Sequence, residues 1–124
     1  MKLKLAVVTL WAEDVEKMTD FYQNVLGLPL LNVDRGRAHF DFGGGYLVIL
    51  PGQPHKPQEA EPVRFPVLAF EVEDLHEAID RLESHGIDLP WGIEADSDAR
   101  WVMFHDPGGN LIEIAMFRHQ EHKV

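Results

Sequence analysis

The feature that most constrains this chain is an internal repeat. An offset of about 60 residues superimposes two halves of the sequence, and periodic self-similarity fixes architecture before any single motif does. Leu5–Ala12 is a β-like run followed by Asp14 and a helical pattern, and Val67–Val72 is followed in the same way by Asp74. In the first helix Val15, Met18, Tyr22 and Val25 recur at three- and four-residue spacing, and in the second Leu75, Ala78, Ile79 and Leu82 do. Asp14 and Asp74 are N-caps, because a carboxylate accepts the free N–H groups of a first helical turn. Asp74 with Glu77 also fits a capping box. Gly27 and Gly86 stop the helices, being able to take the left-handed conformation. The segments after them match as well, Gly27-Leu28-Pro29-Leu30 against Gly86-Ile87-Asp88-Leu89.

Each helix leads into β-rich sequence with glycine turns. The first hairpin runs from Arg37 to Phe42, turns at Gly43-Gly44-Gly45 and returns from Tyr46 to Leu50. The second runs from Arg100 to His105, turns at Asp106–Asn110 and returns from Leu111 to Phe117. Leu30–Val33 and Trp91–Glu94 are expected as further strands. The class is therefore α+β, with two tandem β-α-β-β-β modules at residues 1–50 and 67–118. A proline-rich linker at 51–66 holds five of the eight prolines, and a polar tail covers 119–124.

Composition narrows the function. At 124 residues and 45 % apolar, the chain can bury a core. Its formal net charge of -10 disfavours nucleic acid and anionic membranes, which repel it. No cysteine is present, so disulfides, thiolate metal sites and thiol nucleophiles are excluded, and a cytoplasmic location is expected. The apolar start of the chain is followed at once by Glu13 and Asp14 and lacks a small-residue cleavage site, so it reads as a strand, not a signal peptide. No run approaches the roughly 18 apolar residues of a membrane span.

Three segments carry a family resemblance. Asp14-Val15 with Phe21-Tyr22 and Val25-Leu26-Gly27-Leu28 resembles the first-helix signature of the vicinal-oxygen-chelate superfamily, which includes glyoxalase I, bleomycin-resistance proteins and extradiol dioxygenases. Phe70-Glu71-Val72-Glu73-Asp74-Leu75 resembles the start of its second module. Phe104-His105-Asp106-Pro107-Gly108-Gly109-Asn110-Leu111-Ile112-Glu113 resembles its C-terminal hairpin. Together they span nearly the whole chain in the right order. The resemblance implies an incomplete, U-shaped barrel with the helices outside and a ligand on the concave face. Strand alternation then puts Leu5, Val7, Thr9 and Trp11 towards the cavity and Ala6, Val8 and Leu10 towards the helix. In the last strand Leu111, Glu113, Ala115 and Phe117 share one face, and Ile112, Ile114 and Met116 share the other.

Enzymes of that superfamily typically hold a divalent metal with four strand residues. The resemblance places those positions at Val7, Ile49, Val67 and Glu113 in this chain. Valine and isoleucine offer no donor, and one carboxylate cannot hold the ion firmly. No metal or other cofactor is therefore expected, and the metal-dependent chemistries do not carry over. An alternative is a displaced site from His39, Asp41, His105 and Glu113. The plainer reading leaves those histidines as hairpin residues bonded to neighbours or water. His119 and His122 belong to the polar tail.

What is left is a cavity for a small molecule. Its expected residues are Trp11, Arg37, His39, Trp101, Met103, His105, Glu113 and Phe117, an apolar and aromatic wall with a few polar groups. Trp11 and Trp101 serve equally well as core residues. Glu113 is harder to explain as packing, since an ionised carboxylate on an apolar face needs a partner. Gly43-Gly44-Gly45 joins two strands and lacks the Gly-Lys-Ser/Thr ending of a phosphate loop. Neither Ser84 nor Ser97 lies in a nucleophile-elbow context. The leading expectation is a metal-independent binding protein for an aromatic or cationic ligand, working as a homodimer because an open barrel leaves strand edges uncovered. The alternative is a lyase, isomerase or dioxygenase-like enzyme using Glu113 with a histidine. A third is a regulatory or structural dimer with a vestigial pocket.

Overall fold

The repeated pattern folds into the same element order twice. A computed structural model describes residues 1–2, 4–34, 37–53 and 67–118. The first module runs β1 (Val7–Ala12), α1 (Val15–Asp20), β2 (Leu30–Asp34), β3 (Arg37–Asp41) and β4 (Tyr46–Pro51). The second runs β5 (Leu68–Glu71), α2 (Leu75–Ser84), β6 (Glu94–Ala95), β7 (Ala99–His105) and β8 (Leu111–Phe117). Each makes a four-stranded mixed sheet, in the order β1-β4-β3-β2 and β5-β8-β7-β6. The outer pairs β1–β4 and β5–β8 are parallel and the rest antiparallel. The expected linker from residue 54 onward, and the tail with His119 and His122, lie outside the described residues.

The caps act as anticipated. Asp14 accepts the Lys17 N–H and Asp74 the Glu77 N–H, both at 3.1 Å, closing donors that a first turn leaves open. Gly27 and Gly86 take φ of 78° and 74°, so each chain segment leaves its helix through the left-handed region. The first helix departs from the expected continuous pattern. After Asp20 it widens to a π-helical turn over Phe21–Val25, with Leu26 N–H bonded to Phe21 O at 3.0 Å and Leu28 N–H to Tyr22 O at 2.8 Å. The strand expected over Trp91–Glu94 is displaced to Glu94–Ala95, because Pro90 removes a donor and Gly92 sits at φ 61°.

By its contacts the chain divides into two units. One holds the first module together with Asp106–Asn110, and the other holds the rest of the second module. In the first unit Met18, Phe21, Tyr22 and Val25 are buried with Ala38, Phe40, Leu47 and Ile49. In the second, Leu75 and Leu82 are buried with Val102, Phe104, Ile112 and Ile114. Truncating a buried ring such as Phe104 to alanine removes about 3–5 kcal/mol.

Register corrects one expected position. Ile49 is fully buried on the helix side, paired with Leu10 and Ala38, and does not face a cavity. Phe40 pairs with Leu47, whereas Phe104 pairs with Ile112. The first hairpin is thus one residue shorter than the second, and a one-residue slip moves a side chain to the opposite face. The place that Glu113 holds in the second sheet, between Ala69 and Met103, is held in the first by Val48, between Thr9 and His39.

Candidate functional site

Each sheet has one face packed on its helix and one free of it. Alternation assigns the residues, since partners in register share a face. On the helix-free face of the first sheet, Thr9, Val48, His39 and Asn32 make one row, and Val7, Tyr46 and Asp41 the next. Trp11 pairs with Leu50 and is 46 % exposed. Its ring is seated over Gly52, where an added Cβ would lie 2.6 Å from the indole. Arg37 is exposed at the start of β3. His39 is half-buried in its row. Its Nε2 is buried and has no hydrogen-bond partner among the described residues, a state that native proteins rarely leave uncompensated.

The corresponding face of the second sheet carries Glu113 and Glu94 beside its aromatic residues. Glu113 lies between Ala69 and Met103, and Trp101 between Ala115 and Glu94. His105 pairs with Leu111, and Phe117 with Ala99. Glu113 is half-buried, and burial raises its pKa first, with the charges of Glu94 and Asp96 adding to the rise. Arg37 and His39 belong to the other unit's sheet. The sequence left open whether burial or a basic neighbour would decide the charge of Glu113. Within its own unit, burial and like charge both raise the pKa of Glu113. Trp91, absent from the expected set, stands with its ring centroid 5.9 Å from that of His105. A pocket of about 330 Å³ opens on this unit, lined by Glu71, Glu73, Arg100, Met116, Phe117 and Arg118 among others. Only Phe117 of the expected set lines it.

The donor positions do not fit a divalent ion. With Val48 in place of Ile49, they read Val7, Val48, Val67 and Glu113, still a single ligand. Among the described residues no three His, Cys, Asp or Glu side chains group as a metal site, and of the alternative set His39 and Asp41 belong to one unit, His105 and Glu113 to the other.

The most complete polar network lies elsewhere. Tyr22 O–H donates to Asp106 Oδ2 at 2.7 Å, with Tyr22 fully buried and Asp106 4 % exposed. Asp106 Oδ1 accepts the N–H groups of Gly108 and Asn110, both at 2.9 Å, and Asn110 Nδ2 reaches both carboxylate oxygens. Burial raises the Asp106 pKa despite these bonds, which lower it. Burial, then the adjacent Asp106 charge, pushes the Tyr22 phenol well above its ordinary range. The sequence showed Tyr22 as a helix core position and Asp106 as a turn residue. Their 84-residue separation hid the pair.

Known proteins resemble this chain in sequence and in fold. Residues 4–114 match the family model of the glyoxalase/bleomycin resistance protein/dioxygenase superfamily. An uncharacterised protein of Bacillus subtilis (strain 168), YraH, is 33 % identical over 125 residues, covering 90 % of this chain and 97 % of its own. Another of Escherichia coli (strain K12), YaeR, is 26 % identical, covering 86 % and 91 %. Among solved structures, a glyoxalase/dioxygenase from Nostoc punctiforme superimposes with a TM-score of 0.78 at 26 % identity, covering 92 % of this chain and 90 % of that one. A lactoylglutathione lyase from Agrobacterium tumefaciens gives 0.75 at 21 %, covering 94 % and 95 %, a likeness of fold.

Proposed function

The chain belongs to the glyoxalase/bleomycin resistance protein/dioxygenase superfamily, and from that premise we propose that it is a metal-independent binding protein for a small aromatic or cationic molecule. The observation that carries this reading is the donor set, in which three aliphatic side chains and one carboxylate occupy the four metal positions. What remains on the helix-free faces is suited to holding a flat, positively charged group. Trp11 and Trp101 offer ring faces for stacking and cation–π contact. Glu113 supplies charge, with Glu94 and Asp96 beside it, and a bound cation would relieve their mutual repulsion. His39 Nε2 supplies a hydrogen-bonding atom that lacks a partner among the described residues.

Titration of tryptophan fluorescence tests this. Planar aromatic amines are expected to bind, and equally well with and without chelator. Neutral and anionic analogues should bind more weakly. Binding that requires an added divalent ion would overturn the reading. An enzymatic role for Glu113 is favoured by its raised pKa alone, since a base works best near the operating pH. The proposal extends to a cytoplasmic homodimer, supported by apolar residues left exposed on edge strands, among them Val7, Leu31 and Val33.

A further inference from the structure

We infer that Tyr22 is a positioning residue for the β7–β8 hairpin, acting through Asp106 on His105 and the strand ends beside it. The hairpin changes unit at its tip. Its strands belong to the second unit, but Asp106–Asn110 packs within the first. Two contacts seat the tip. Tyr22 O–H reaches Asp106 Oδ2 at 2.7 Å. The Tyr22 ring is held in turn by Phe21 and Phe40, with centroids 5.4 and 6.0 Å away. Gly108 lies so close to the Trp11 carbonyl that an added Cβ would sit 3.1 Å from it.

Tyr22 lies in the first part of the wide turn at Phe21–Val25. The tip in turn fixes the strand ends on either side of it. His105 directly precedes Asp106 and pairs with Leu111, and Met103 pairs with Glu113 two residues further along. With both carboxylate oxygens engaged, Asp106 locks the turn internally through Gly108 and Asn110 and externally through Tyr22. Removal of the phenolic oxygen deletes the external bond only. The positioning role of Tyr22 is independent of what the sheet faces bind.

Amide hydrogen exchange and histidine NMR on the full chain test it. In the wild-type protein, amides of the tip are expected to exchange through a local opening with little denaturant dependence, distinct from those of α2. In Tyr22→Phe, exchange at Gly108 and Asn110 should speed up about tenfold or more, while α2 keeps its wild-type rates, allowing for the bond's ordinary worth. The His105 ring resonances, shifted by the Trp91 ring current, should move towards unstructured values, and those of His85 should not. Asp106→Asn, which retains one carbonyl oxygen for the turn, should reproduce the pattern more weakly. Uniform acceleration of all amides would show a merely structural bond and overturn the inference. So would unchanged His105 resonances. Should Tyr22→Phe fail to fold, the wild-type exchange pattern decides alone, and tip amides that open only with global unfolding would overturn it.

Discussion

At the scale of single residues, two ionisable groups, half-buried Glu113 and buried Tyr22, set what can be measured. Glu113 has a raised folded pKa, so its stabilising contribution is complete below its unfolded pKa and is lost as pH rises through the folded value. Ionised Glu113 therefore costs stability at neutral pH. Glu113→Gln is expected to leave the melting temperature at pH 7 equal or higher, and to flatten its decline between acidic and neutral pH. The same change should weaken a cationic ligand by about 1.5–3 kcal/mol, the worth of a charge-assisted hydrogen bond. Scanning calorimetry across pH with parallel ligand titrations checks both. A large loss of stability with unchanged affinity would make Glu113 a structural ion-pair member. Tyr22 shows the same sign at the alkaline end. Its contribution is present below the unfolded phenol pKa and lost as pH rises through the higher folded value. In a Tyr46→Phe background, which leaves Tyr22 as the only tyrosine, phenolate absorbance should appear together with loss of circular dichroism. Ionisation of Tyr22 in a chain that is still folded would contradict its burial.

At the scale of elements, the parts legible in the sequence are those that rest on local chemistry. Asp74 and Gly86 bracket α2 because capping and left-handed φ are properties of single residues. Asp74→Ala should lower unfolding free energy by about 1 kcal/mol, measured by urea denaturation with an unchanged slope. The two faces of β8 were legible for the same reason, since alternation needs no knowledge of neighbours. Position 49 was not, because the two hairpins match residue for residue only if their turns are of equal length, and the Phe42–Gly45 turn is one residue shorter than Asp106–Asn110. Trp91 escaped because its segment read as strand, whereas Pro90 and Gly92 keep it out of the sheet. The Tyr22–Asp106 bond had no local signature at all. The candidate faces were thus partly visible and their fixing point invisible, since hydrogen bonds between distant residues leave no periodic trace.

At the scale of the molecule, duplication, family and fold converge. Two modules of the same element order form two mixed sheets of the same strand order, and the match to the superfamily covers residues 4–114. Among the described residues no helix is long and apolar enough to cross a membrane. We propose a homodimer, and light scattering at micromolar concentration should give twice the 14.1 kDa chain mass. A monomer mass there would leave the exposed edges unexplained. Independence from metal is the central claim, because the ligand, the role of Glu113 and the loss of the superfamily's metal chemistry all depend on it. Elemental analysis of protein purified without chelator tests it most directly. The predicted result is no stoichiometric zinc, manganese, iron or nickel, and a melting temperature unmoved by adding them. About one ion per chain, lost on mutation of Glu113, His39 or His105, would contradict it.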